Sequence, residues 1–223
     1  MSQIDLYTQV HHNNPNFGKE LHTHFTHIAS ILILLDVKKA LDFGCGKGVT
    51  ADRLNDLAIA NVTKYDPAIS SYNTIPKSKF DCVINTDVME HIPESEIPGV
   101  LDQFKKLAPV AVIIPHLAKA HLILPNGENA HCTIKTPDEW KKTFKKKYKH
   151  VEQLSHFSDI HALFICSDNP IPAQRLSQLS QLITFARVHY SIKNFAETSP
   201  LRKRIAQAWR VVRGAAGFKR KQY

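Results

Sequence analysis

Gly44, Gly46 and Gly48 lie where a pattern typical of a buried strand runs into a pattern typical of a helix. A glycine at such a turn lets the backbone bend tightly and approach a ligand closely, because no side chain stands in the way. The helix that follows points its unpaired N–H groups at any acidic group of the ligand. The spacing therefore predicts a turn that binds a nucleotide-type cofactor. The predicted cofactor-binding residues of this turn are Asp42, Gly44, Cys45, Gly46 and Gly48.

An acidic residue, Asp66, ends the next strand pattern, which covers residues 62–66. In strand–turn–helix–strand units, a carboxylate about twenty residues beyond the glycine turn accepts hydrogen bonds from the ribose hydroxyls of the cofactor. We therefore predict that Asp66 binds a ribose, and that Pro67, directly after it, also belongs to the cofactor site.

Residues 80–93 form an apolar strand pattern that ends in polar residues. Since ligands lie at the carboxyl ends of parallel strands, the side chains from Thr86 to His91 should lie beside the reacting group. Thr86 and Asp87 are predicted to bind the cofactor, and Glu90 and His91 are predicted to be catalytic. An imidazole suits the role of general base because its unperturbed pKa is close to neutrality.

A polar loop at 124–131 begins with a Pro-Asn-Gly turn signature and ends on His131. We predict His131 as a second candidate base, while Glu90 orients an imidazole ring or fixes the cofactor. The predicted catalytic set is therefore His91, His131 and Glu90. In an alternative, these three side chains and Asp87 converge as nitrogen and oxygen ligands of a divalent ion, which would lower the pKa of a substrate hydroxyl.

Together these motifs resemble those of the class I S-adenosylmethionine (SAM)-dependent methyltransferases. Residues 41–48 are similar to the first motif of that family, and their glycine spacing differs from the G-x-G-x-x-G pattern of NAD-binding proteins. The D-x-x-E-H element at 87–91 is similar to one found in many small-molecule O- and N-methyltransferases. The resemblance covers roughly residues 30–168 and extends to uncharacterised bacterial and phage methyltransferases. It implies SAM as the cofactor, with the glycine turn along its methionine part and Asp66 on its ribose.

The resemblance also implies a fold, an α/β Rossmann-like sheet that is closed by an antiparallel strand. The sequence pattern gives strand, helix, strand, strand, a helix at 94–107 and a further strand. A capped helix follows from residue 136, with apolar or aromatic contacts predicted from Trp140, Phe144 and Tyr148, and then two closing strands at 151–157 and 160–166. Only residues 67–79 separate Asp66 from the strand at 80. That connection is too short for the helix and third strand that the family has there. We predict an abbreviated strand-three region, and we assign no residues to the adenine pocket.

The chain divides into three predicted segments: an N-terminal helical segment or lid at 1–36, a SAM-binding methyltransferase domain at 37–170, and a basic helical extension at 171–223. Residues 1–170 carry 18 Lys and Arg against 19 Asp and Glu, whereas residues 171–223 carry 11 against Glu197 alone. Helix patterns at 174–190 and 201–213 set apolar side chains on one side. A basic amphipathic helix can lie on an anionic membrane surface, bind nucleic acid or dock on its own domain.

Three other features bear on the class of protein. His22, His24 and His27 lie in an apolar stretch at 21–35, which is predicted to be a packing helix. The four cysteines show no paired spacing for zinc, so we expect reduced thiols in a cytoplasmic protein. Neither a signal sequence nor a long apolar span is present, so any association with a membrane should run through the basic extension.

The expected function is methyl transfer to a hydroxyl or an amine of a small molecule or glycan. A second reading is a metal-assisted RNA 2′-O-methyltransferase. The small-RNA 3′-terminal 2′-O-methyltransferases, which this chain resembles, use a metal held by acidic and histidine residues after strand four. Its basic extension would bind phosphates, and binding would weaken steeply with salt. Neither aromatic stacking positions nor an RNA-binding signature is evident in the sequence, which disfavours nucleic acid as the partner. A third reading is a protein that binds SAM without turning it over.

Overall fold

The structure is a computed structural model that describes residues 1–19, 21, 23–154 and 158–198. It separates into two units, Met1–Leu182 and Ile183–Tyr223, and the second is described only as far as residue 198. His22, the end of the strand predicted at 151–157, and the helix predicted at 201–213 lie outside the described residues. Within the part that is described, no helix combines the length and the apolar character that crossing a bilayer requires.

Six strands form one sheet. They are β1 (Lys39–Phe43), β2 (Asn61–Tyr65), β3 (Cys82–Thr86), β4 (Val110–Ile114), β5 (His150–Leu154) and β6 (Leu163–Ser167). Their spatial order is β2-β1-β3-β4-β6-β5. Strands β1 to β4 run parallel, whereas β6 is antiparallel to both of its neighbours, β4 and β5. The predicted Rossmann-like α/β sheet with an antiparallel closing strand is therefore confirmed.

Six α-helices belong to the described residues. They are α1 (Gln3–Asn13), α2 (Phe25–Leu34), α3 (Val49–Asp56), α4 (Ile97–Leu107), α5 (Pro137–Lys145) and α6 (Ala173–Thr198). Helix α1 was not predicted as an element of its own. It begins with a capping box in which the Ser2 hydroxyl accepts the Asp5 N–H and the Asp5 carboxylate accepts the Ser2 N–H. Aspartate replaces the usual glutamate or glutamine of that motif, which hides the signal.

The abbreviated strand-three region is confirmed. Residues 66–81, all of which are described, form turns and irregular backbone between β2 and β3. Strand β3 therefore pairs directly with β1, and the Asp81 carboxylate accepts the N–H groups of Lys38 and Lys39 at 2.9 and 2.8 Å. These two bonds fix the start of β3 against the start of β1.

Some predicted boundaries are wrong by a few residues. The helix expected from residue 94 begins at Ile97, after an irregular segment that contains Pro93. The closing strand expected at 160–166 becomes β6 only at Leu163, because the preceding residues make irregular pairs with the chain beyond β4. In those pairs Leu117 N–H donates to the Ile160 carbonyl at 2.9 Å and Ala162 N–H donates to the Pro115 carbonyl at 3.3 Å.

The main core fills the space between the sheet and helices α4 and α5. The aromatic side chains of α5 and its C-terminal turn, Trp140, Phe144 and Tyr148, are buried there as predicted, and Trp140 stacks on Phe144. Each such side chain contributes about 1.5–3 kcal/mol by leaving water. Helix α2 packs as predicted through Ile28 and its neighbours, which are fully buried. This packing holds the carboxyl ends of β1 to β4 as one rigid edge.

Candidate active site

The glycine turn directly after β1 has the geometry that its sequence predicts. Gly44 has φ +86°, and a Cβ placed on it would come 2.3 Å from Cγ2 of Val88. No other residue type fits there, because both the backbone angle and the space are restricted to glycine. Gly48, with φ +80°, is the N-cap of α3, so the turn leads directly into the helix as predicted.

Asp66 lies at the carboxyl end of β2 and is almost fully buried. One of its carboxylate oxygens accepts the Gly46 N–H and the other accepts the Ala68 N–H, both at 2.9 Å. The predicted ribose ligand therefore also fixes the glycine turn. A carboxylate offers about four lone-pair sites, so Asp66 can still accept hydrogen bonds from hydroxyl groups. Pro67 stands between Asp66 and Ala68 in the chain, so it lies at the same edge of the sheet.

Two further residues of the glycine turn region carry shifted pKa values. Burial, and secondarily the Asp66 carboxylate, raises the pKa of Asp42 to about 7. Burial also raises the pKa of the Cys45 thiol, so this cysteine is a neutral side chain and not a nucleophile. A positively charged ligand group beside Asp42 would compensate its buried carboxylate.

The chain leaves β3 at Thr86 through an unusual backbone conformation. Asp87 has φ +53°, in the left-handed region that aspartate tolerates better than most residues. Its N–H donates to the Ile114 carbonyl at 3.0 Å, and its carboxylate lies 3.0 Å from Nε2 of His161. This bend directs the next residues into a 3₁₀ turn at Met89–His91.

The three predicted catalytic residues come together beside this turn. One ligand atom from each of Glu90, His91 and His131 lies within 4.8 Å of the other two. Nε2 of His131 is 3.9 Å from a Glu90 carboxylate oxygen, and the two imidazole rings meet edge to face at 4.7 Å. Asp87, the fourth residue of the predicted ligand set, is paired with His161 instead.

Thr133 joins the two segments that carry these residues. Its N–H donates to the Glu90 carbonyl at 3.0 Å, and its hydroxyl donates to the Ile92 carbonyl at 2.7 Å. Asn129 orders the loop that leads to His131, because its side-chain oxygen accepts the N–H groups of His131 and Ala120. The polar Asn-Gly-Glu-Asn-Ala-His loop thus places His131 by backbone hydrogen bonds.

Both imidazoles of the cluster are held by backbone carbonyls. Nδ1 of His91 lies 3.0 Å from the Ala130 oxygen, and Nδ1 of His131 bonds the Ala118 oxygen. A carbonyl oxygen only accepts, so each Nδ1 carries a proton, and in the neutral form of each ring Nε2 keeps a lone pair. Nε2 of His131 lies near the Glu90 carboxyl group, an arrangement found in sites where histidines bind a metal or accept a proton.

The electrostatics of Glu90 and His91 are dominated by burial. Glu90 has no exposed surface, and neither carboxylate oxygen accepts a hydrogen bond of ordinary geometry from any described residue. Burial, and secondarily Asp87, raises the pKa of Glu90 well above its usual range. Burial lowers the pKa of His91 to about 4, so its ring is neutral at physiological pH. The backbone N–H groups of Glu90 and His116 oppose the rise in the pKa of Glu90 only in part. A buried carboxyl group with so little compensation is costly when ionised, and a cation would compensate it.

Several residues at this edge were missed by the sequence analysis. The Tyr7 hydroxyl bonds both Nδ1 of His91 and the Ala130 carbonyl. The ring of His116 lies 4.8 Å from that of His131 and 4.6 Å from that of His161. His116 could have been found, because it is a polar residue just beyond a parallel strand, as Asp87 is.

One histidine of the predicted packing helix, His24, lies outside the observed helix α2. His24 precedes the first residue of α2, and its ring lies 4.7 Å from that of His161 and 5.7 Å from that of His27. His24 therefore belongs to a group of neighbouring histidine rings that also contains His116, His131 and His161. The rest of the helix packs as expected.

The family described as "methyltransferase domain" matches residues 20–163. No curated protein sequence matches the chain. Among solved structures, the chain is similar to the 1,6-didemethyltoxoflavin N1-methyltransferase of Burkholderia thailandensis, solved with 1,6-didemethyltoxoflavin and S-adenosylhomocysteine. The identity is 12%, the alignment covers 74% of this chain and 86% of that one, and the TM-score is 0.53.

A second similar structure is human N-acetylserotonin methyltransferase in complex with SAM. The identity is again 12%, the alignment covers 66% of this chain and 52% of the human one, and the TM-score is 0.50. At such identities the likeness to both structures concerns the fold.

Proposed function

The chain belongs to the methyltransferase-domain family, and on that premise we propose that it transfers a methyl group from SAM to a hydroxyl or amine of a small molecule or glycan. The observation that carries the proposal is the placement of two groups of residues on one edge of the sheet. The glycine turn with Asp66 lies after β1 and β2, and the cluster of Glu90, His91 and His131 lies after β3 and β4.

The residues of the glycine turn fit a cofactor of this type. When bound, SAM supplies an electrophilic methyl group on a sulfonium centre. Gly44 and Gly48 keep the turn free of side chains, and the spare lone pairs of Asp66 can accept ribose hydroxyls. The buried carboxyl of Asp42 favours a cationic neighbour, which suits the amino group of a methionine moiety. Thr86 and Asp87 complete this edge.

The histidine cluster fits the proton transfer that such a reaction needs. In the neutral form of its ring, Nε2 of His131 can accept the proton of an acceptor hydroxyl or amine. The same role at Nε2 of His91 is weakened, because burial lowers the pKa of that ring to about 4. Glu90 beside them stabilises the imidazolium that forms. The rest of the rate enhancement comes from positioning, because the acceptor must be aligned behind the methyl group.

A second form of this function is favoured by the buried carboxyl group of Glu90, whose two oxygens have no hydrogen bond of ordinary geometry among the described residues. Glu90, His91 and His131 would hold a divalent cation, which lowers the pKa of a substrate hydroxyl. Two imidazole nitrogens and one carboxylate suit Zn²⁺ or Fe²⁺ better than Ca²⁺, which prefers oxygen ligands. The backbone carbonyls at both Nδ1 atoms are the partners that metal-bound histidines usually have.

Calorimetric titration with SAM and S-adenosylhomocysteine tests the proposal. We expect saturable binding to the full chain and strongly weakened binding to Asp66→Ala. Asp56→Ala is the matched control, since Asp56 is exposed at the end of α3. SAM carrying a tritiated methyl group would then be used to screen glycans and small hydroxy compounds. Equal affinity of Asp66→Ala and wild type would reject the cofactor assignment.

A further inference from the structure

We propose that Tyr7, in helix α1, is a positioning residue that fixes the orientation of the His91 ring, with Nδ1 held on the Ala130 carbonyl and Nε2 left to react. The inference rests on the proposed function of Glu90, His91 and His131 as the reactive cluster. Through Tyr7, the N-terminal helix α1 contributes a side chain to the site.

The contact is a closed triangle of three polar atoms. The Tyr7 hydroxyl donates to the Ala130 carbonyl at 2.9 Å, and Nδ1 of His91 lies 3.0 Å from the same oxygen. The Tyr7 hydroxyl oxygen also bonds Nδ1 of His91. Since the tyrosine proton goes to Ala130, the Nδ1 proton of His91 is shared between the tyrosine oxygen and the carbonyl.

This triangle selects one orientation of the His91 ring. A flipped ring would place a carbon atom against both oxygens and would lose both hydrogen bonds. The Tyr7 and His91 rings also meet edge to face at 5.0 Å with an interplanar angle of 70°, which restricts rotation further. Both effects keep Nδ1 on the Ala130 carbonyl, so Nε2 is the nitrogen left to bind a proton or a cation.

Helix α1 is anchored firmly enough to carry such a residue. Leu6 and Val10 are buried in a cluster with Leu124 and Ala130, which belong to the loop that leads to His131. The capping box at Ser2 orders the first turn of the helix. Further along the chain, the Gly18 carbonyl accepts the Lys47 N–H at 3.1 Å, next to Gly46. The N-terminal segment therefore contacts the cluster at Tyr7 and the glycine turn at Gly18.

The test uses the full chain with Tyr7→Phe, which keeps the ring and removes the hydroxyl. Tyr148→Phe is the matched control, because Tyr148 is buried at the end of α5 and no described residue bonds its hydroxyl. Three properties are measured at pH 7.5: the imidazole nitrogen shifts of His91 in ¹⁵N-labelled protein, the affinity for Zn²⁺, and the affinity for SAM. The spectrum of His91→Gln assigns the His91 signals.

In wild type we expect one His91 tautomer, with the proton on Nδ1, and nuclear Overhauser contacts between the Tyr7 and His91 rings. Tyr7→Phe should shift the His91 nitrogens toward a mixture of tautomers and weaken Zn²⁺ binding about tenfold, at the low end for residues that orient a ligand. Its SAM affinity should match wild type, and Tyr148→Phe should match wild type in all three properties.

Unchanged His91 shifts in Tyr7→Phe would overturn the inference. A wild-type His91 protonated on Nε2 would also overturn it, and this result does not depend on the folding of any variant. Failure of the wild-type chain to bind SAM would reject the proposed function instead, because the His91 signal is read without cofactor, metal or acceptor.

Discussion

Nε2 of His131 lies 3.9 Å from a carboxylate oxygen of Glu90, although His131 comes from the loop after β4 and Glu90 from the turn after β3. The carboxyl group is buried, and no described residue bonds its oxygens in ordinary geometry. A carboxyl group in such a place is either protonated or compensated by a cation. The cation of the proposed metal-assisted form would therefore compete with a proton for one position between the two loops.

Glu90→Gln should weaken Zn²⁺ binding by about 100-fold or more. Loss of a residue that only orients a ligand costs about 10–100-fold, and Glu90 would be a ligand itself. Calorimetric titration at pH 7.5 measures the change. Glu94→Gln is the control, because Glu94 is exposed and forms an ion pair with Lys135, outside the cluster. Weak or absent binding of Zn²⁺, Fe²⁺ and Mg²⁺ to wild type would reject the metal-assisted form.

His131→Ala should slow methyl transfer while leaving SAM affinity unchanged. His131 lies in the cluster with Glu90 and has no contact with the glycine turn among the interactions described above. Loss of a general base usually costs about 10²–10⁴-fold in rate. His121→Ala is the control, since His121 is an exposed histidine of the same loop. A variant that turns over as fast as wild type would remove His131 from the mechanism.

Asp42 should release a proton when SAM binds near neutral pH. Its folded-state pKa is about 7, so about half of the molecules carry the proton at pH 7. A cationic ligand group beside it favours the ionised form, so affinity should rise as pH rises through this value. Titration in two buffers of different ionisation enthalpy, at pH 6 and pH 8, measures the proton count.

Asp42→Asn should abolish the buffer dependence, and Asp56→Asn should retain it. Proton release that is the same in wild type and Asp42→Asn would show that another group titrates on binding. The interpretation of Asp42 as the cation-compensated residue would then be wrong.

Gly44→Ala should destabilise the fold and prevent SAM binding, because its backbone angle is left-handed and its Cβ would lie 2.3 Å from Val88. Gly99→Ala is the opposite case, since nothing lies within 4 Å of that position in helix α4. It should stabilise the protein by about 0.5–1 kcal/mol. Thermal unfolding compares the two variants. A stable Gly44→Ala that binds SAM normally would contradict the glycine-turn assignment.

The parts of the site that could be predicted depend on local rules. The glycine turn is encoded by consecutive residues, and the positions of Asp66, Asp87 and Glu90 follow from the ends of neighbouring strands. The missing third strand could be read from chain length alone, since the connection is too short. His131 could be predicted because a turn signature precedes it.

The parts that could not be predicted depend on contacts between distant segments. Tyr7 reaches His91 only because α1 docks on the loop around Ala130, and no pattern near Tyr7 indicates that docking. The helix itself was hidden by an unusual capping residue, Asp5. The ring contacts among His24, His116 and His161 also join distant segments, and the tautomer of His91 is set by a carbonyl from another loop.

The docking of α1 also fixes the order in which the site can be assembled during synthesis. The helix leaves the ribosome early, yet its partners Leu124 and Ala130 are made only after four strands of the sheet. A helix this short is marginal on its own in water. Helix α1 therefore stays largely unstructured until Leu124 and Ala130 have been made. The cluster of Glu90, His91 and His131 is completed only then, after the cofactor turn can already form.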